Sequence, residues 1–344
     1  MHDKSLTFVT AADHGFQYGL EPLYKSFILA NRAFAPLHCI LMDCGLPEGY
    51  CRQLKEALVD FGLQRSIQLT FESIQSKLQR WRVFPPHWGS YATYAFLEAP
   101  PLAKSRYLVF ADADMLHFTQ LSDAIEELEA SGHPLAAVQD GPATLASDHY
   151  VGLLNPKAAP HAPYLNGGYL IFDLERFNHA DFILYTEQLD PSIAHQRYPG
   201  KKKFKHDQTL LNSYLAGQFH LLKPRYNFLA KHNRQLAELK EAANVHFISN
   251  PKPWEAATHQ SLLRAVCFHS AIAAQEDSEE QNLSHIAEHW SEEMIRLKPS
   301  LFNHLEKALW SILGRQKKIK QFKDAKLEQK EILQLIQKVY QWSR

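Results

Sequence analysis

Four short apolar runs limit what this chain can fold into. They are Leu6–Ala11, Leu37–Asp43, Ser66–Phe71 and Arg106–Ala111. Each is six or seven residues long, which suits a strand and is too short for a core helix. Between the first three lie stretches of helical character. One is expected over Glu21–Arg32, another over residues 45–62, with Pro47 near its start and Gly62 at its end. Strand and helix in alternation predict an α/β fold, a mainly parallel sheet with helices on both faces. Leu135–Gln139 and Tyr169–Leu174 read as further strands, and Glu175–Leu189 and His206–Leu215 as helices. Asp140–Pro163 has little periodicity, and its length predicts a binding loop or lid. From Ala271 the strand signals stop and the sequence turns polar, helical and increasingly basic. Two parts are therefore expected: a domain over residues 1–270 and a helical, amphipathic extension over 271–344.

Charge and composition remove several classes of function. With 37 basic and 37 acidic residues the formal net charge is zero, which argues against nucleic acid as a partner held by bulk charge. No segment approaches the roughly 20 uninterrupted apolar residues of a membrane span. The opening "MHDKSLTFVTAADHG" has no long apolar core, so no secretory signal is expected. The cysteines, Cys39, Cys44, Cys51 and Cys267, form neither a CxxC pair nor a zinc spacing. They read as reduced thiols of a cytoplasmic protein.

The run "RYLVFADADML", Arg106–Leu116, drives a buried strand straight into Asp112-Ala113-Asp114. Ligands of open parallel sheets bind beyond the C-terminal ends of the strands. Residues two apart in an extended chain point the same way. The two carboxylates can therefore face one hard cation such as Mg²⁺ or Mn²⁺, and that cation can hold a diphosphate.

Four more blocks follow this one in a recognisable order: "TAADHGFQY" (Thr10–Tyr18), "YLNGGYLIFDL" (Tyr164–Leu174), "DQTLLN" (Asp207–Asn212) and "HFISNPKPW" (His246–Trp254). Together the five resemble glycosyltransferase family 8, and within it the bacterial lipopolysaccharide galactosyl- and glucosyltransferases. The resemblance covers about Leu6 to Trp254. It implies a GT-A fold, a nucleotide-sugar donor (usually UDP-linked), Mn²⁺ or Mg²⁺, and transfer with retention of anomeric configuration.

The resemblance also implies roles. Asp13, just after Thr10 and Ala11, matches a contact to the uracil. Asp112 and Asp114 match the metal-binding pair, with Asp112 also near the ribose. His246 matches the third protein ligand of the metal, and Lys252 the lysine on the diphosphate. Asn166 and Asp140 match contacts to the donor sugar, and Asp207 and Gln208 the pair beside the anomeric carbon. An amide is a poor nucleophile, so Gln208 favours attack from the face that the diphosphate leaves.

The sequence also departs from the family pattern. Phe96 stands where an arginine is common, His14 where a second acid is, and Ser249 where a glycine is. Either Arg82 or the Lys201–Lys203 run replaces the missing positive contact, or the donor is bound more weakly. The middle block reads "NGG" where "N(S/A)G" is typical.

The expected partners are thus a nucleotide-sugar donor and an oligosaccharide or lipid-linked glycan acceptor, such as a lipopolysaccharide core. Arg315–Lys326 is strongly basic. In the stretch that follows, Ile332, Leu335, Ile336, Val339 and Tyr340 share one helical face. A basic amphipathic tail of this kind reads either as contact with an anionic membrane or as a helix packed on the domain or on a second copy, and the resemblance favours the inner face of a bacterial inner membrane. Two other readings compete. One is an inactive GT-A protein that binds nucleotide or glycan. The other is a nucleotidyltransferase, which the absence of a glycine-rich basic loop disfavours. His285–His289 spells H-x-x-E-H, but no third-ligand helix follows it.

Overall fold

The computed structural model describes residues 5–31, 33–62, 67–229 and 242–248. Its first third alternates as expected: β1 (Leu6–Ala12), α1 (Gln17–Ala30), β2 (Leu37–Asp43), α2 (Tyr50–Gly62) and β3 (Ile67–Ser73). Then come β4 (Tyr107–Ala111), β5 (Met115–His117), α3 (Ser122–Ser131), β6 (Leu135–Thr144), α4 (His149–Leu154) and β7 (Pro163–Asp173). The remaining elements are α5 (His179–Glu187), α6 (Ser192–His195), α7 (His206–Leu215), β8 (His220–Leu222), β9 (Phe228–Leu229) and β10 (Asn244–His246).

Seven strands make one sheet in the order β3-β2-β1-β4-β7-β6-β8. The pairs among β3, β2, β1 and β4 are parallel, as is β6 with β8, while β7 runs antiparallel to both neighbours. Alternate residues serve two cores. Val9, Ile40, Leu108 and Phe110 face one, and Phe8, Leu41, Val109 and Ala111 the other. Burial on both faces is why these strands are apolar throughout instead of alternating with polar residues. A second sheet, β5-β10-β9, has three short strands.

Three expectations need correction. Asp140–Pro163 is not one long loop. β6 continues through it to Thr144, a 3-10 turn covers Leu145–Ser147, and α4 follows. β7 begins at Pro163, six residues before the expected Tyr169. Only Tyr169–Asp173 pairs with β4, so Pro163–Gly168 runs on past the end of β4. Part of that overhang is satisfied from α7. Asn212 accepts from the Leu165 N–H at 2.8 Å and donates to the Leu165 carbonyl at 3.0 Å. The helix expected over Glu175–Leu189 starts at His179, because Asp173 first turns the chain, accepting from the Glu175 N–H at 3.2 Å.

The described residues from 5 to 228, with 243–246, make one compact unit. Among the described residues no helix is long and apolar enough to cross a membrane. Cys39, Cys44 and Cys51 are free thiols. The expected extension over 271–344, Cys267 and the H-x-x-E-H stretch lie outside the described residues.

Candidate metal and donor site

The apolar grip on β4 fixes where its C-terminal end delivers Asp112 and Asp114. The Asp112 N–H donates to the Gly168 carbonyl at 2.9 Å, so the overhang of β7 lies alongside. Chain direction then turns into β5, whose Met115 pairs with His246 of β10. That register brings the imidazole up against the acidic pair. His246 Nε2 lies 3.2 Å from Asp114 Oδ1 and 3.5 Å from Asp112 Oδ2. Asp114 and His246 are buried, while the Asp112 side chain is 45% exposed, so the cluster opens to one side. One ligand atom from each of the three falls within 4.8 Å of the others.

Two carboxylate oxygens and one imidazole nitrogen suit Mg²⁺ or Mn²⁺. The backbone is shaped for the cluster as well. A Cβ on Gly168 would sit 2.3 Å from His246 Cε1 and 2.7 Å from Asp112 Oδ2, so only glycine allows β7 this close. The residues present fit a divalent cation.

Gly167, the next residue back, faces a different group. A Cβ there would meet Asp207 Oδ2 at 3.3 Å, a tight but tolerable approach. The Gly167 N–H donates to Gln208 Oε1 at 2.9 Å. Gln208 Nε2 in turn donates to Asp140 Oδ2 at 3.1 Å, and Lys205 Nζ donates to the same oxygen at 2.8 Å. Burial would raise the Asp140 pKa, but the Lys205, Gln208 and Asn166 contacts outweigh it and hold the group below the usual carboxylate range. Asp207 goes the other way. Burial, with the nearby Asp112 charge adding to it, pushes its pKa up to about 8 against the hydrogen bond from Thr93 Oγ1. The start of α7 is anchored from beneath. Buried Asp148 accepts from Thr209 Oγ1 at 2.6 Å and from the Tyr164 hydroxyl at 2.9 Å.

At the end of β1, Asp13 accepts from the Gly15 N–H at 3.0 Å and from Ser90 Oγ at 2.7 Å. Thr10 is fully buried, and its hydroxyl has no hydrogen-bond partner among the described residues. Ala11 is partly exposed beside it. The structure therefore gathers Asp112, Asp114 and His246 in one cluster, and Asp140, Asn166, Asp207 and Gln208 in a second that shares the β7 overhang. Thr10, Ala11 and Asp13 sit at the end of the neighbouring strand. Lys252 and Ser249 lie outside the described residues.

Residues 9–258 match the family model described as Glycosyl transferase family 8. The chain belongs to glycosyl transferase family 8. General stress protein A of Bacillus subtilis (strain 168) is 23% identical over 273 residues, covering 74% of this chain and 90% of its own. Among solved structures, the galactosyltransferase LgtC in complex with donor and acceptor sugar analogs superposes with a TM-score of 0.56 at 18% identity. That match covers 81% of this chain and 99% of LgtC. The bifunctional glycosyltransferase WbbM in its apo form also gives a TM-score of 0.56, at 16% identity, over 74% of this chain and 48% of WbbM. The fold is thus GT-A, and the chain is a metal-dependent glycosyltransferase with a candidate cation site at Asp112, Asp114 and His246.

Knowing the family, the departures in sequence can be placed. Phe96 is buried and packs on Phe110, with ring centroids 5.1 Å apart, so it fills core space and leaves the site to other residues. Arg82 lies over the Tyr91 ring at 5.8 Å. Lys201–Lys203 are exposed, Phe204 is buried, and the cation that reaches the second cluster is Lys205, which also covers the Tyr164 ring at 4.5 Å. The lysine that matters here is Lys205, two residues beyond the Lys201–Lys203 run. Sequence reasoning also missed Thr93, Ser90 and Asn227, since isolated polar residues carry no periodic or motif signal.

Proposed function

We propose that this transferase moves a hexose, glucose or galactose, from a UDP-sugar to a hydroxyl of a glycan acceptor with retention of configuration. One observation carries the reading. A single backbone segment, Asn166–Gly168, has the Asp112/Asp114/His246 cluster against Gly168 and the Asp207/Gln208 pair against Gly167. A sugar diphosphate has the same layout, with its charged phosphates one bond from the anomeric carbon. A divalent cation on the three ligands supplies positive charge against the leaving diphosphate.

The chain's own residues then divide the work. Asp13, with Thr10 and Ala11, holds the nucleotide end, and Lys252 meets the diphosphate. Asp140 and Asn166 orient the sugar, with Lys205 and Gln208 holding Asp140 in place. The Gln208 carbonyl is already committed to the Gly167 N–H. That occupied amide supports a front-face displacement. The bond from the anomeric carbon to the acceptor oxygen forms as the bond to the phosphate oxygen breaks, and the departing phosphate takes the hydroxyl proton. A covalent sugar on Gln208 or Asp207, seen by intact-protein mass spectrometry, would overturn this path.

The acceptor we propose is a lipopolysaccharide core or another lipid-linked glycan. Residues 271–344 would hold the enzyme peripherally at the cytoplasmic face of the inner membrane. Near the site, Trp88 is 70% exposed in a turn closed by paired His87–Ser90 backbone hydrogen bonds, and the same turn supplies Ser90 to Asp13. Its indole offers a flat apolar face of the kind that packs on a pyranose.

The test is calorimetric titration of UDP, with and without Mn²⁺, on the wild type and Asp114→Ala, followed by hydrolysis of UDP-glucose and UDP-galactose. Binding should require Mn²⁺ and disappear in the variant. Binding that ignores both the ion and the substitution would remove the donor site from this cluster.

A further inference from the structure

An imidazole can ligate a cation through Nε2 only while that nitrogen keeps its lone pair. We infer that Asn227, backed by Asn166, is a positioning residue that keeps the ring proton of His246 on Nδ1 and so leaves Nε2 bare toward Asp112 and Asp114. The inference deepens the metal reading of this site and is separable from it.

The argument follows hydrogen-bond polarity inward from two groups that cannot change role. The first is the backbone N–H of Gly168, which can only donate. It lies 3.0 Å from Oδ1 of Asn166, so that atom must be the carbonyl oxygen. The second is the Asp140 carboxylate, which already accepts from Lys205 and Gln208. The other terminal atom of Asn166 lies 3.5 Å from it, on the side where an NH₂ belongs. Both ends of Asn166 therefore agree on its orientation.

Asn227 Nδ2 lies 2.8 Å from the same Asn166 oxygen, so it must be the amide nitrogen, donating. The Asn227 oxygen then faces His246 Nδ1 at 3.0 Å. A carbonyl oxygen only accepts, so Nδ1 carries the hydrogen. Turning Asn227 over would set oxygen against oxygen at one end. At the other it would set NH₂ against the ring. All three side chains, Asn166, Asn227 and His246, are buried.

The arrangement is also mechanically stiff. Asn227 ends the 3-10 turn Pro224–Asn227, and that turn is tied to the strand that carries His246. The Ala243 N–H donates to the Arg225 carbonyl at 2.8 Å, and Asn244 Nδ2 donates to the Tyr226 carbonyl at 2.7 Å. Amide and ring are thus carried by two pieces of chain that hold each other in register. Outer partners of this kind are worth roughly 10–100-fold in metal affinity.

The test is ¹⁵N NMR of the full chain with labelled histidine at a pH where the ring is neutral, with diamagnetic Mg²⁺ and UDP present so that the acceptor-only carboxylates of Asp112 and Asp114 are engaged and do not draw a hydrogen to Nε2. The His246 signals are assigned by their loss in His246→Gln. The wild type should show the Nδ1–H form. Asn227→Leu removes the acceptor and should move the ring toward the Nε2–H form. Asn227→Asp keeps an acceptor against Nδ1 while setting its second oxygen against Asn166 Oδ1, so it should keep Nδ1–H at some cost in stability. Mn²⁺ affinity in the presence of UDP, read by electron paramagnetic resonance, should fall about 10–100-fold in Asn227→Leu and less in Asn227→Asp.

An Nε2–H ring in the wild type overturns the inference, as does an unchanged ring in folded Asn227→Leu. Should Asn227→Leu fail to fold, the wild-type tautomer and the Asn227→Asp spectrum decide. If the wild type shows the expected tautomer and loses it in Asn227→Leu, yet binds no Mn²⁺, the relay stands and the metal reading falls.

Discussion

The two ends of β4 each gather a cluster of carboxylates around a buried one, Asp173 or Asp114, and treat it in opposite ways. At the N-terminal end Arg106 forks onto Asp173, with Nε 2.9 Å from Oδ1 and Nη2 2.8 Å from Oδ2. Arg106 also reaches Glu129 and Glu175, and Arg176 adds a second guanidinium on Asp173 at 3.1 Å. The Asp173 side chain is fully buried. Burial would raise its pKa, but the Arg106 hydrogen bonds and charge hold it below the carboxylate range. At the C-terminal end the partner that Asp112 and Asp114 share is His246, which is charged only when protonated. A guanidinium is a permanent counter-ion and closes its cluster. Two carboxylates and an imidazole make a cluster whose donor set suits a cation from outside. The residue types are alike at both ends, and the partner decides between structure and chemistry.

Removing the permanent partner should give the largest effect. Arg106→Ala leaves Asp173 buried with a weaker complement and should cost about 3 kcal/mol in urea unfolding. Mn²⁺-dependent UDP binding by the folded fraction should not change. The Asp173 contribution is present above the unfolded pKa and is lost as pH falls through the depressed folded one. The wild type should therefore lose more stability in acid than Arg106→Ala. A loss of only a few tenths of a kcal/mol at neutral pH would break the contrast between the two ends.

The adjacent glycines sharpen it next. Gly168→Ala should cost about 2 kcal/mol and displace His246 from Asp112, abolishing Mn²⁺-dependent UDP binding in calorimetry. Gly167→Ala, whose Cβ would lie 3.3 Å from Asp207 Oδ2, should cost under about 1 kcal/mol and keep binding. Equal behaviour of the two variants would show that β7 is not fitted to the cluster.

The smallest effect concerns Asp207. Its folded pKa of about 8 lies above the unfolded value of about 4, so the native state keeps a proton that the unfolded chain has lost. Wild-type stability in chelator should therefore fall as pH rises across that window. Asp207→Asn should remove about 1 kcal/mol of that fall, because partial exposure screens the charge. Parallel pH profiles of melting temperature for the two proteins would refute the raised pKa.

What the sequence determined by itself was local. Doubly buried strands must be apolar, so β1, β2 and β4 were legible almost to the residue, and α7 matched His206–Leu215. A carboxylate pair at the end of such a strand was legible because chain direction and strand pleat are local properties. The overhang of β7 was not. Its Asn-Gly-Gly core has no apolar period, and it runs on as strand beside the extension of β6, with Gln139 opposite Leu165 and Thr144 opposite Pro163, while Asn212 of a distant helix satisfies the Leu165 backbone. The split of the basic run into exposed Lys201–Lys203 and inward Lys205 was settled by Asp140, 65 residues earlier. The mild variation lay at Gly167, and nothing in the sequence showed why Gly168 must stay glycine until His246, far along the chain, proved to lie where its Cβ would go. Asn227 had no signal at all. Hydrogen-bond polarity and close approach depend on which groups meet in space, and only the tertiary structure decides that.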